Sequence, residues 1–206
     1  MYLYGAGGHA KVIIEILQSC HKGIKGIFDD NIYKLPVFGF KVNKGVKISN
    51  QDFPTLDLPL IISIGDNERR AEIAQLLDIN YGLAIHPTAI ISRSSTVDAG
   101  TVILHGSILQ NDVIISKHVL INTSARICRG AFINNYAHVS PHAVISENAV
   151  IGEGTHIGAG AVVTPGITIG KWCKIGAGTV VHENVPDYST FVGNPGKHIN
   201  RFVFSV

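Results

Sequence analysis

Gly5-Ala6-Gly7-Gly8 sits between an apolar triplet, Tyr2-Leu3-Tyr4, and a stretch from Lys11 to Ser19 in which Val12, Ile13, Ile16 and Leu17 fall on one helical face. The amides of such a turn, aimed together with a helix N-terminus at one point, suit an anion, and a diphosphate is the group they predict. The run stops short of the complete GxGxxG fingerprint. Asp29-Asp30 ends a second apolar run, Ile24 to Phe28, at the spacing at which a carboxylate meets a ribose hydroxyl. Ser63-Ile64-Gly65-Asp66-Asn67 closes a third, Leu60 to Ile64, and opens a second helix, Asn67 to Leu77. Each loop alone is equally well a solvated turn. Three polar loops on the carboxyl edge of one open sheet are the arrangement in which α/β units gather ligands.

A second set of candidates breaks an otherwise apolar pattern further along: His105, His118, Arg129, His138, His142 and His156. Histidine is the side chain most readily used for proton transfer near neutral pH. His118 and His142 read as solvent decoration. The histidines are scattered along the sequence and no Cys-His cluster occurs, so no metal site is expected.

The elements that carry these residues follow from periodicity. From Ile85 to Val181 every sixth residue is Ile, Leu or Val, a run whose chance probability is on the order of 10⁻⁸ at one apolar residue in three. Two residues earlier the chain is mostly small, as at Ala125, Ala131, Ala137 and Ala143. A period of six describes short strands joined by tight corners, the hexapeptide β-helix. Gly152, Gly158, Gly170 and Gly176 are expected to supply the freedom that corners need. A coil made of three hexapeptides puts His138 above Leu120 and below His156, and Arg129 between Asn111 and Glu147. Ahead of the repeat, alternating strands and helices predict a small parallel sheet, about half a dinucleotide-binding domain. The expected organisation is an α/β Rossmann-like unit over residues 1–84 and an all-β parallel β-helix with a short apolar tail over 85–206.

Composition narrows the partners. The chain has 206 residues, a net charge of +2 and no long basic run, so no nucleic-acid footprint is expected. Its apolar stretches, such as Leu58 to Ile64, are too short for a membrane span, and no signal-peptide pattern precedes them, which predicts a cytoplasmic protein. Cys20, Cys128 and Cys173 lack paired spacing and read as reduced thiols.

Together these residues resemble the bacterial sugar acetyltransferases that modify sialic acid and nucleotide-linked amino sugars, the bacillosamine- and perosamine-type enzymes among them. The resemblance spans essentially the whole chain. It is carried by Tyr4-Gly5-Ala6-Gly7-Gly8-His9-Ala10-Lys11-Val12, Phe28-Asp29-Asp30, Ile64-Gly65-Asp66-Asn67 with Arg70, Ile121-Asn122-Thr123, His138-Val139-Ser140-Pro141, Gly158-Ala159-Gly160-Ala161 and Val192-Gly193-Asn194-Pro195. It implies a left-handed β-helix, a homotrimer, a nucleotide-activated sugar held by Gly5, Gly7, Gly8, His9, Asp29, Asp30, Gly65 and Asp66, and acetyl-CoA along His138, Gly158, Ala159, Gly160, Ala177 and Pro195. Members of the family carry a general-base histidine in an acidic-His-acidic-Cys tetrad. Here that stretch reads Cys128-Arg129-Gly130-Ala131, so Arg129 takes the histidine's place. A guanidinium cannot accept a proton near neutral pH. His138 matches the second family histidine and is the remaining candidate base.

The implied activity is acetyl-CoA-dependent transfer of an acetyl group to an amine or hydroxyl of a nucleotide-linked amino sugar or sialic-acid-like sugar, for surface-glycan assembly. The β-helix is expected to offer amide donors near Gly158 and Gly160. The loss of the histidine at Arg129 raises a rival, a trimer that binds the ligands without chemistry. A weaker alternative is a nucleotide sensor in which the β-helix serves only to oligomerise.

Overall fold

The structure, a computed structural model, describes residues 1–31, 36–45 and 56–199. The apolar tail falls from residue 200 onwards, outside the described residues.

The N-terminal unit contains β1 (Tyr2–Tyr4), α1 (Gly8–Ser19), β2 (Gly26–Asp29), β3 (Val42–Lys44), β4 (Leu60–Ile62) and α2 (Asn67–Leu76). The four strands are parallel in the order β3-β2-β1-β4. Strand order reverses at β1, which has β2 on one side and β4 on the other, so the glycine turn after β1 lies at the switch point of the sheet. β3 is not legible in the sequence, because Val42-Asn43-Lys44 has no apolar run and pairs only along the sheet edge. α1 begins earlier than its apolar face suggests and buries Ala10, Ile13, Ile14, Ile16 and Leu17. Ile14 joins this face in place of Val12, which is half-buried.

From Ala84 the chain winds into a parallel β-solenoid whose short strands pair with their counterparts one coil along, Leu120 with His138 and His138 with His156. The strands form three faces. The first runs from Ala84–Ile85 to Thr190–Val192 and is closed by antiparallel Lys197–His198. The second runs from Ile90–Ile91 to Val180–Val181, the third from Thr96–Val97 to Thr168–Ile169. Inward aliphatics such as Ile121, Val139, Ile157 and Ile175 stack into one core. Where the small corner residue is Thr101, Ser107 or Thr155, its buried hydroxyl donates to the backbone carbonyl of Ser116, Asn122 or Gly170 at 2.7–2.9 Å, which removes the penalty of burying it.

Gly152, Gly158, Gly170 and Gly176 are there for space. None has positive φ, and a Cβ would come within 2.3 Å of the Gly170 carbonyl at Gly152 and within 2.5 Å of the Ala177 nitrogen at Gly158. The left-handed corner conformations fall instead at Gly100, Gly130, Gly154, Gly160 and Gly178, and at side-chain-bearing positions including His118, Tyr136 and Trp172.

The α/β unit packs on the lower part of the first face. There Ala84, Val102, Leu104 and Leu120 share a core with Ile13, Ile16 and Leu17. Above Leu120 the outward positions of that face are His138, His156, Lys174 and Thr190.

Candidate functional site

The glycine turn is built to be rigid on one side and open on the other. Gly5 has φ +108°, and a Cβ would lie 2.7 Å from the Ile64 side chain. Ser63 beneath it donates to the carbonyl of Gly5 at 2.6 Å. The Ala6 amide donates to Asp29 Oδ2 at 2.7 Å, so this carboxylate braces the turn. Ala10, fully buried, fills the last small position of a G-x-G-x-x-A pattern that begins at Gly5, so the fingerprint is more complete than its missing third glycine suggests. Gly7 caps α1 without a side-chain hydrogen bond, and no acidic residue lies in the first turn, which leaves the positive end of the helix available to an anion. Gly8 and Gly65 face open space. Asp30 accepts from the Tyr4 hydroxyl at 2.6 Å and from Arg69 at 2.5 Å. Asp66 caps α2 by accepting from the Arg69 amide at 2.8 Å. The acidic residues therefore brace the loops at this edge of the sheet.

Arg70 ties this edge to the solenoid. Its side chain is completely buried and donates to the carbonyls of His118 at 2.9 Å, Tyr136 at 2.7 Å, Ile64 at 3.1 Å, Gly65 at 3.2 Å and Asp66 at 3.3 Å, and to Asn67 Oδ1 at 2.8 Å. Asn67 in turn donates to the Gly154 carbonyl at 3.0 Å. His118, Tyr136 and Gly154 occupy one column, the corner between the third and first faces, which continues through Trp172 to Tyr188. His118 is 3% exposed, edge-on to Tyr81 and stacked on Tyr136, and burial lowers its pKa to about 4. It belongs to the docking surface between the two units and not to solvent, whereas His142 is exposed.

His138 stands just above that docking surface. Asn122 Oδ1 accepts from the Thr123 amide at 2.8 Å, which turns its NH₂ toward His138 Nε2, 3.2 Å away. Nε2 is thereby the acceptor, and the ring proton sits on Nδ1. Burial lowers the His138 pKa to about 3, and His156, Arg70 and His9 oppose its protonation further. His156 packs edge-on at 4.8 Å between ring centres and meets the Ser140 hydroxyl at 3.2 Å. His9, in the first turn of α1, has a buried Nε2 without a protein partner among the described residues and a pKa lowered to about 4 by burial. One half-buried group of neutral imidazoles thus joins the glycine turn to the first face.

At the corner between the first and second faces, the amides of Gly158 and Gly160 are spent on the coil-to-coil ladder, donating to Ile175 at 2.8 Å and Pro141 at 2.9 Å. They are not free donors. Ala159 and Ala177, exposed and one coil apart in one column, have amides with no acceptor among the described residues; the shorter last coil puts Gly193, not Pro195, next in that column. Arg129 is exposed at the corner between the second and third faces, across the coil from His138, with its amide bound to Gln110 Oε1 at 3.0 Å. A single chain therefore does not bring Arg129 and His138 together. Residue type alone assigns no role to Arg70 or Asn122, which only the resemblance singles out, nor to Tyr136 and Trp172, although a coil-by-coil comparison of Gly100, His118, Tyr136, Gly154 and Trp172 exposes their column.

Residues 1–77 match the PglD N-terminal domain, and residues 148–183 match the bacterial transferase hexapeptide family (six repeats). The chain is 30% identical to a perosamine N-acetyltransferase from Caulobacter crescentus, solved as a histidine-to-asparagine variant with CoA and GDP-perosamine. That match covers 97% of this chain and 96% of the other with a TM-score of 0.88. The acetyltransferase domain of PglB from Neisseria gonorrhoeae FA1090, solved also with acetyl coenzyme A, is 29% identical over 96% of this chain and 98% of that one, with TM-scores of 0.88 and 0.87. A UDP-N-acetylbacillosamine N-acetyltransferase from Bacillus subtilis (strain 168) is 35% identical over 108 residues, 50% of either protein. This chain spans half the length of that curated relative and 22% of a second, uncharacterised one.

Proposed function

We propose that this chain, which belongs to the family of sugar N-acetyltransferases that join a PglD-type N-terminal domain to a hexapeptide-repeat β-helix, transfers an acetyl group from acetyl-CoA to an amine or hydroxyl of a nucleotide-linked amino sugar or sialic-acid-like sugar. The reaction is read as a step of surface-glycan assembly in the cytoplasm. The observation that carries this reading is the closeness of His9, in the first turn of α1 behind its uncapped N-terminus, to His138 on the first face, whose protonation His9 opposes. The division of labour follows the two units, residues 1–84 for the nucleotide sugar and residues 85–206 for the acyl donor.

In this reading a diphosphate rests on the turn at Gly5, Gly7, Gly8 and His9, with Asp29, Asp30, Gly65 and Asp66 around the nucleoside. The pantetheine arm follows the Ala159 and Ala177 column toward Pro195, taking hydrogen bonds from the two free amides. A neutral amine attacks the thioester carbonyl, the N–C bond forms, the C–S bond breaks and the CoA thiolate leaves. The proton released by the amine passes through solvent to the thiolate. His138 has its Nε2 lone pair engaged by Asn122 and little basicity, so its contribution is the Nδ1–H, a donor to the oxygen that gains charge. The geometry supports that part better than the general-base part expected from sequence.

Homotrimer formation belongs to the same proposal. The second face presents Ile90, 64% exposed, with Ile108, Val144 and Val162 in an outward column interrupted by Arg126, and the third presents Ile114, 47% exposed, with Phe132 and Val150 between Thr96 and Thr168. A symmetric assembly covers these columns and can carry Arg129 of one protomer to the first face of the next.

An acetyl-CoA turnover assay against UDP-, GDP- and CMP-linked amino sugars and sialic acids tests the reading. The guanidinium at Arg129 favours one alternative, a binding trimer without chemistry. Saturable nucleotide-sugar binding with no thiol release from acetyl-CoA for any acceptor would establish that alternative.

A further inference from the structure

Between α2 and the last coils lies a cavity of about 850 Å³, within the range of small-molecule sites. Its lining shares no residue with the glycine turn, the acidic pair or the His138 group. Glu68, Ala71, Glu72 and Gln75 form one wall, at the spacing that puts them on a single face of α2. Trp172 and Tyr188, the top of the corner column, form the opposite wall with Lys174 and Thr190. A Cβ on Gly154 would lie 2.2 Å from the Trp172 indole, so the ring rests with one face on that glycine. Among the described residues, the side-chain polar atoms of Glu68, Gln75, Lys174, Tyr188 and Thr190 make no hydrogen bond within the protein, although they converge on one space.

We propose that this cavity is a second binding site, taking an unphosphorylated saccharide ring. Pyranose rings present an apolar C–H face and a girdle of hydroxyls, which matches aromatic rings flanked by carboxylate, amide and ammonium groups. Phosphorylated ligands do not fit its charge. The two carboxylates face one lysine and His198, and Glu72 is already held by Arg69 at 2.7 Å. The inference extends past acetyl transfer and does not depend on it. A glycan seated here would be held beside the first face that also carries His138 and His156, as an acceptor or a product remote from the nucleotide does.

The protein's single tryptophan is Trp172, so its emission reports on this cavity alone. Full-length protein without acetyl-CoA is titrated with the methyl glycosides of glucosamine, N-acetylglucosamine and N-acetylmannosamine, and separately with uridine and guanosine monophosphates. The expected result is a saturable emission change with at least one glycoside, half-complete on the order of 1 mM. Glu68→Gln and Tyr188→Asn, the latter chosen because asparagine tolerates the φ of +59° at this position, should each weaken it about tenfold or more. Saturation-transfer NMR on the same variants gives a readout independent of the indole. No saturable response to any glycoside, an unchanged response in both variants, or a stronger response to the nucleotides overturns the proposal. Because no acyl donor is present, these outcomes are distinguishable from a failure of acetyl transfer.

Discussion

At the scale of single residues, the His138 ring is decided by its neighbours. With Nε2 capped by Asn122 and a pKa lowered to about 3 by burial, it stays neutral across the physiological range. Replacing His138 by Ala is expected to lower kcat by roughly 10²-fold, the usual cost of removing one donor to a developing oxyanion. The kcat/KM profile between pH 5 and 8 should show no limb from this residue and should follow the amine of the acceptor. A limb near pH 6.5 that disappears in His138→Ala would return the residue to the part of a base. Arg129→His is the companion variant: a rise in turnover, measured as thiol release, identifies a cleft that still accommodates a base at that corner. Asn122→Ala should act in the direction of His138→Ala, because it frees the ring to take the other tautomer.

At the scale of elements, Arg70 is the fastening between α2 and the solenoid. Its removal orphans carbonyls from two elements at once, and each buried acceptor left unpaired costs about 1–3 kcal/mol. Arg70→Met should therefore lower the thermal midpoint far more than Arg69→Met, whose ion pairs are half-buried with Asp30 and exposed with Glu72. The same interface makes stability pH-dependent. Burial lowers the pKa of His118 and of His9 to about 4, against 6.5 in the unfolded chain. Between those values the unfolded chain binds more protons, so stability is full above about pH 6.5 and is lost as the pH falls toward 4. Urea midpoints measured from pH 7.5 to 4.5 should decline, and Tyr81→Ala, by opening the pocket around His118, should flatten that decline. Gly158→Ala tests the coil spacing, since the added methyl meets backbone 2.5 Å away. A loss of about 1–3 kcal/mol is expected, the usual cost of overpacking.

At the scale of the whole molecule, two largely apolar outward columns on adjacent faces are what the proposed trimer would cover. Light scattering at micromolar concentration should give three times the mass of the chain, and Ile114→Lys, on the outward side of the third face, should dissociate it. A monomeric wild type would remove the assembly that brings Arg129 toward His138.

The six-residue period determined much of this protein by itself. Aliphatics recurring at that spacing have nowhere to bury except inside a solenoid, and three hexapeptides to a coil place His138 between Leu120 and His156 before any coordinate is known. The alternating strands and helices ahead of it likewise specify a parallel sheet with its polar loops on one edge. Tertiary structure alone decided which of those polar residues are spoken for. His118 looks like a surface histidine because its column is a corner, yet α2 and Tyr81 cover that corner. Gly158 and Gly160 look like free donors, but a neighbouring coil takes their amides. Arg70 looks like one more charge on a helix of mixed polarity, and becomes the buried hub because carbonyls from the loop that opens α2 and from two coils converge on it. Periodicity reports which residues face inward along one chain path. It carries no information about how a second unit, packed from far away in sequence, desolvates what faces outward.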